Sequence, residues 1–163
     1  MIAVNNIEKS FGKTAVLNGI SAEFEQGKTN LIIGQSGSGK TVFLKCILGL
    51  HRVTAGEIIY NNVPLSSMEE EEQSLLRQDM GMVFQGSALF DSMTVEENVM
   101  FPMQMFTQAP EDEIRERANI AIDRVNLVDA NHKLPAEISG GMKKRFAIAR
   151  AIVMNPSFLF CDE

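Results

Sequence analysis

Residues Gly34-Gln35-Ser36-Gly37-Ser38-Gly39-Lys40-Thr41 follow the spacing G-x-x-x-x-G-K-[ST]. Such a loop can wrap a polyphosphate, because glycines let successive backbone N–H groups turn inward. Lys40 at that position would reach the β- and γ-phosphates, and the Thr41 hydroxyl would hold Mg²⁺. The flanks suit the chemistry. Thr29-Asn30-Leu31-Ile32-Ile33 is short, apolar and β-branched, and reads as a strand. Val42-Phe43-Leu44-Lys45-Cys46-Ile47-Leu48 reads as a helix whose positive N-terminus would face the same anion. The competing reading is a glycine-rich turn without a ligand. Strand, loop, Lys-Thr pair and helix occurring together weigh against it.

Three further groups could act on a nucleotide. Ile138-Ser139-Gly140-Gly141-Met142-Lys143-Lys144-Arg145 precedes an apolar helix. Ser139 would cap that helix, and Gly140 and Gly141 would expose backbone N–H groups at its N-terminus, a second anion site. Two such sites in one chain are hard to explain for one nucleotide unless two copies face each other. Phe158-Leu159-Phe160-Cys161-Asp162-Glu163 is four apolar residues followed by two acids. Asp162 would orient water on Mg²⁺, and Glu163 would polarise the water that attacks the γ-phosphate. Gln85 is a polar amide ending the apolar run from Met80, within reach of Mg²⁺ and that water; the alternative is a simple strand cap. Lys143-Lys144-Arg145 reads as a solvated helix face, with docking of acidic groups as the other option.

These residues need a scaffold. At 163 residues the chain can bury one ordinary core. Its 15 Lys+Arg against 21 Asp+Glu give a net charge of −6, which argues against nucleic acid as the main partner. No apolar run approaches the roughly 18–20 residues that span a bilayer. The N-terminus lacks a basic region and an apolar signal core. Cys46 and Cys161 lie in apolar runs and read as reduced core thiols. The two cysteines and two histidines are scattered and show no metal-ligand spacing, and His51 and His132 read as surface residues.

Residues 1–8 alternate apolar and polar and read as a strand, and 15–24 as a second strand. Strands are also expected at 56–62, 80–85 and 157–162, with a charged, solvated helix over 68–78. Thr94-Val95-Glu96-Glu97 has the form of a capping box opening a helix. Pro110 followed by three acids marks a second helix start. A third helix runs from about 141 to 154 and is stopped by Asn155-Pro156. Strands separated by helices suggest a mainly parallel sheet, with a small antiparallel addition near the N-terminus.

Over essentially its whole length the chain resembles the nucleotide-binding domain of ABC (ATP-binding cassette) proteins. Position by position, Phe11 matches the aromatic that stacks on adenine; read alone it could be a plain turn aromatic. Gly34, Gln35, Ser36, Gly37, Ser38, Gly39, Lys40 and Thr41 match Walker A. Gln85 matches the Q-loop glutamine, and Ser139-Gly140-Gly141 the signature that clasps the γ-phosphate of the other subunit's ATP. Asp162 and Glu163 match Walker B. The resemblance implies an α/β fold with a P-loop NTPase core, Walker motifs on adjacent parallel strands, a small antiparallel β-subdomain and a helical signature subdomain. The core would be residues 1–85 plus 156–163, and the helical subdomain 86–155. It implies an ATPase using ATP and Mg²⁺. Lys40, Gln85 and Glu163 would be its catalytic residues, and Thr41, Gln85 and Asp162 its metal contacts. The partners implied are a second cassette, head to tail, and integral-membrane permease subunits held through the Q-loop and helical subdomain. The location implied is the cytoplasmic face of the inner membrane, and no nucleic acid is expected.

Residues 84–99 and Met142, where many cassettes carry Gln, further resemble the Mla/Mce-type ATPases, which implies phospholipid as cargo. Importers or exporters of amino acids, ions or drugs remain alternatives. So do cassettes acting on DNA, although the interval from Lys40 to Ser139 leaves no room for their long coiled coil, and translation-factor cassettes. The family pattern continues past Walker B into a D-loop, further strands and a switch histidine, none of which is in this sequence. The chain is therefore expected to be a truncated cassette that binds ATP weakly, turns it over little or not at all alone, and has an unpaired sheet edge.

Overall fold

The computed structural model describes residues 1–162. They form two compact units, residues 1–77 and 78–162.

In the first unit, β1 (Ile2–Phe11) and β2 (Thr14–Phe24) pair antiparallel from Ile2↔Phe24 to Phe11↔Thr14. The turn between them contains Gly12, at φ 58°. β3 (Ala55–Tyr60) lies on the other side of β1 and continues through Asn61-Asn62 into β4 (Val63–Pro64). Both asparagines have positive φ, 48° and 69°, as a tight hairpin turn requires. The strand alternation seen in the sequence buries Ile2, Val4, Ile7, Leu17, Ile58 and Tyr60. Helix α1 (Lys40–Ile47) buries Phe43, Leu44, Cys46 and Ile47. The Tyr60 hydroxyl donates to Ile47 O at 2.7 Å, so the helix end and the sheet share a satisfied polar contact. Helix α2 (Glu70–Gln78) buries nothing and is a solvated acidic helix, as its composition predicts.

The second unit holds the parallel pair β5 (Met80–Val83) and β6 (Phe158–Cys161), in register from Met80↔Phe158 to Val83↔Cys161. Helices α3 (Val95–Phe106), α4 (Glu111–Arg124) and α5 (Gly140–Ile152) close a core of Val99, Met103, Ile114, Ala118, Ile122, Leu127, Phe146 and Ala149. The capping box at Thr94 forms as expected. Pro110 takes the cap position of α4 rather than its first turn, where its fixed φ of −58° starts the helix equally well. Asn155 turns the chain at φ 54° after α5.

Two expectations need correction. The run Thr29–Ile33 is not a strand, so the two Walker motifs do not lie on adjacent strands among the described residues. Leu31 and Ile33 are 85% and 82% exposed. β-Branched composition favours a pleated surface but forms a strand only where a neighbour pairs with it, and no described strand does. Cys161 is exposed rather than a core thiol, because alternate residues of β6 face away from the packed side; Cys46 is fully buried.

Candidate nucleotide site

The Gly34–Thr41 loop is held by its own geometry. Ser38 N–H donates to Gln35 O at 3.2 Å, closing a turn. Gly37 and Gly39 have φ of 80° and 92°, where side chains with a Cβ are strained. A Cβ at Gly39 would also stand 3.0 Å from Leu17 Cδ2 and 3.1 Å from Val16 Cγ1, so glycine lets the loop sit against β2. Gly37 opens to free space, with nothing within 4 Å of a Cβ there.

Gly39 is the N-cap of α1, and no side chain caps the helix's first amides. Lys40 Nζ folds back over the loop and donates to Gly34 O at 2.9 Å and to Gln35 O at 3.0 Å. Thr41 follows in the first turn. Helix amides without a side-chain cap, a positive helix end and an ammonium gathered at one loop fit a polyphosphate.

Phe11 ends β1 and is 46% exposed. Lys9 Nζ lies 4.9 Å from its ring centroid, and His51 meets it edge-on at 5.4 Å. His51 is thus half-buried against an aromatic rather than a plain surface residue. The ring keeps an exposed apolar area that a flat base could cover.

In the second unit the parallel register brings two predicted residues to one edge. Val83 faces Cys161, so Gln85 and Asp162 both leave the carboxyl end of the β5–β6 pair, the usual ligand edge of a parallel sheet. Asp162 N–H donates to Val83 O at 2.9 Å. Gln85 is exposed, in the turn after β5. Glu163, the predicted water-polarising residue, lies outside the described residues.

Ser139 caps α5, its Oγ accepting from Met142 N–H at 3.3 Å. Gly140 and Gly141 are exposed, and a Cβ on either would meet nothing within 4 Å. The two glycines thus leave the start of α5 uncovered by side chains of their own. The signature is not joined to Gln85 and Asp162. Contact between α5 and β5 is made by Ala147 and Ala151, about 12 Å or more along the helix from Ser139.

The sequence model of the ABC transporter family matches residues 17–163. The chain belongs to the ABC transporter family. It is similar to the methionine import ATP-binding protein MetN of Clostridioides difficile (strain 630), 37% identical over 163 residues, which cover 100% of this chain and 50% of that protein. It is also similar to the glutamine transport ATP-binding protein GlnQ of Escherichia coli (strain K12), 39% identical, covering 100% of this chain and 68% of that one. Among solved structures, the dimeric structure of MJ0796, a bacterial ABC transporter cassette, superposes with a TM-score of 0.89 at 32% identity. That match covers 99% of this chain and 73% of the other. The chain thus spans about half the length of MetN and two thirds of GlnQ. No helix among the described residues is long and apolar enough to cross a membrane.

Two residues that brace the backbone around the site were not evident in the sequence. Arg145, read there as part of a solvated face, donates to Val125 O at 3.4 Å and Asn126 O at 2.7 Å, tying α5 to the carbonyls that end α4. Asn98 is fully buried and holds the backbone that follows Gln85. A lone amide among Val95, Val99 and Met100 was the available signal for it.

Proposed function

We propose that the chain is the ATP-binding part of a membrane transporter and couples Mg-ATP binding and hydrolysis to movement of phospholipid. The observation that carries the nucleotide reading is the Gly34–Thr41 loop, where α1 begins without a side-chain cap and Lys40 folds across the loop. An incoming triphosphate replaces the Gly34 and Gln35 carbonyls as acceptor for Lys40, and the loop amides take up its oxygens. Phe11 stacks on the base. By the resemblance, Thr41, Gln85 and Asp162 would be the residues that hold or orient magnesium. Magnesium, when bound, neutralises charge on the β- and γ-phosphates. Glu163 polarises the attacking water.

Ser139, Gly140 and Gly141 present their donors to the triphosphate of a second copy, so two cassettes close head to tail around two nucleotides. The nucleotide core comprises residues 1–85 and 156–163, and the helical subdomain 86–155 with the Q-loop meets the permease at the cytoplasmic face of the inner membrane. The phospholipid cargo is supported by the Q-loop segment Phe84–Val99 and by Met142. A second reading, amino-acid import, is supported by the similarity to the methionine import protein MetN and the glutamine transport protein GlnQ.

Two measurements test these readings. Steady ATP hydrolysis by the full protein should be abolished by Glu163→Gln; hydrolysis that survives would remove Glu163 from the mechanism. Co-purification from native membranes in mild detergent, with mass spectrometry of proteins and lipids, decides the cargo. A permease arriving with bound phospholipid supports lipid movement. A permease with an amino-acid-binding partner supports the second reading. Ribosomes or DNA without a permease would overturn the transporter.

A further inference from the structure

Gly86, Ser87 and Ala88 have consecutive positive φ values of 79°, 68° and 43°. Ser87 and Ala88 carry a Cβ, so each sits there against its intrinsic preference, and the surroundings must hold it. Ser87 is 7% exposed. Its N–H donates to Phe84 O at 2.9 Å, closing the turn that presents Gln85. Its carbonyl accepts from Arg150 Nη2 at 3.1 Å. The same guanidinium stands 5.8 Å from the Phe90 ring centroid. Phe90 is in turn fixed by Asn98 on its backbone and by Phe101, whose ring centroid is 4.7 Å away.

Arg150 belongs to α5, the helix that starts at Ser139. Ala147, one turn before it, and Ala151, the next residue, pack on Val83 of β5. Gly81 lies so close to the Ala151 carbonyl that a Cβ would collide with it. The helix therefore abuts the strand leading into the Gln85 turn, and Arg150 bonds the turn itself. Burial lowers the Arg150 pKa, in keeping with a cation drawn out of water to make this link.

We propose that Arg150 is a positioning residue for Gln85, tying the turn that presents Gln85 to the signature helix without touching nucleotide. The proposal rests on the reading of Gln85 given above. A guanidinium suits the task because its planar fork can donate to a carbonyl while its face lies against an aromatic ring; an ammonium offers only a point charge.

The test compares the full protein, in complex with its membrane subunits, with its Arg150→Met and Arg150→Lys variants. Hydrogen exchange of the amides of residues 85–88 and steady-state ATP hydrolysis are both measured. Arg150→Met is expected to speed exchange at these amides about tenfold while leaving the amides of α4 unchanged. It should lower kcat about tenfold, as loss of a group that orients a ligand-contacting residue does, with KM for ATP within about twofold. Arg150→Lys should recover part of kcat. Unchanged exchange at 85–88, or a lower melting temperature with undiminished kcat, would overturn the proposal. If Arg150→Met does not fold, Arg150→Lys decides alone: wild-type exchange and kcat with lysine would overturn it. Lack of hydrolysis by the wild-type protein would sink the function proposed for the site instead, and the exchange data would still decide the positioning.

Discussion

Asn98 grips Phe90 by both backbone groups: its Oδ1 accepts the Phe90 N–H at 2.9 Å and its Nδ2 donates to Phe90 O at 3.0 Å. The same Nδ2 lies 3.0 Å from Met93 O and from Thr94 O. One buried amide of α3 thus organises the backbone between the Gln85 turn and the helix cap. Asn98→Ala would leave the Phe90 N–H and the Met93 carbonyl without this partner, while Phe90 O keeps the Met93 N–H and Thr94 O keeps the Asn98 N–H. Each buried unpaired group costs about 1–3 kcal/mol, so a loss of about 3 kcal/mol is expected in urea unfolding. A loss below about 1 kcal/mol would mean that the segment finds other partners.

What the sequence disclosed was local. The phosphate loop, the Thr94 capping box and the Ser139 cap are each written in a few adjacent residues whose types answer directly to backbone geometry. Thr29–Ile33 failed for the opposite reason: a strand is a property of its neighbours, and its composition could not say whether a partner would lie alongside. Asn98 and Arg145 were missed similarly, since their acceptors stand 4–8 and 19–20 residues away in the chain and only folding brings them together. Gln85 and Asp162 are an intermediate case. Each was legible as the polar end of an apolar run, but their common edge follows from the β5–β6 register.

Lys40 gives the most direct test of the phosphate loop. Its ammonium now bonds the carbonyls of Gly34 and Gln35, which lie at the surface and can turn to water. Lys40→Ala should therefore leave folding stability nearly unchanged while removing a charge-assisted contact to ATP worth about 3 kcal/mol, a loss of roughly a hundredfold in affinity. Titration with a fluorescent ATP analogue reads this. Unaltered affinity would place the nucleotide elsewhere.

The Thr94 cap predicts a pH dependence. Glu97 Oε2 accepts the Thr94 backbone N–H at 2.7 Å and the Thr94 hydroxyl at 3.0 Å, and these bonds hold its carboxyl below the usual range. Its contribution is therefore fully present above its unfolded-state pKa and is lost as pH falls through the lower folded-state pKa. Glu97→Gln should flatten stability against pH in that acidic window and leave its shape near neutrality unchanged. Chemical denaturation at a series of pH values measures it, and parallel curves for the two proteins would refute the assignment.

Gly81 tests the contact between α5 and β5. A Cβ there would strike the Ala151 carbonyl oxygen and stand 3.0 Å from both Leu159 Cδ1 and Pro156 Cγ. A backbone oxygen cannot swing aside, so either strand or helix must shift. Gly81→Ala is expected to destabilise by about 3 kcal/mol, at the upper end for overpacking. A neutral effect would show that β5 and α5 are free to part.

Ser139 has two assignments that one pair of variants can separate. Its hydroxyl oxygen accepts the Met142 N–H and so caps α5. A hydroxyl has one donor besides its acceptor lone pairs, so it can cap the helix and still donate to a γ-phosphate presented by a second copy. Ser139→Ala removes both functions and should cost about 1 kcal/mol of stability together with most ATP hydrolysis. Ser139→Asp keeps a good cap, but it offers the phosphate a negative charge and no proton. It should therefore melt close to the wild-type protein and yet fail to hydrolyse ATP or to dimerise with it. If the aspartate variant hydrolyses ATP normally, Ser139 serves only the helix, and the second anion site at Gly140 and Gly141 does not exist.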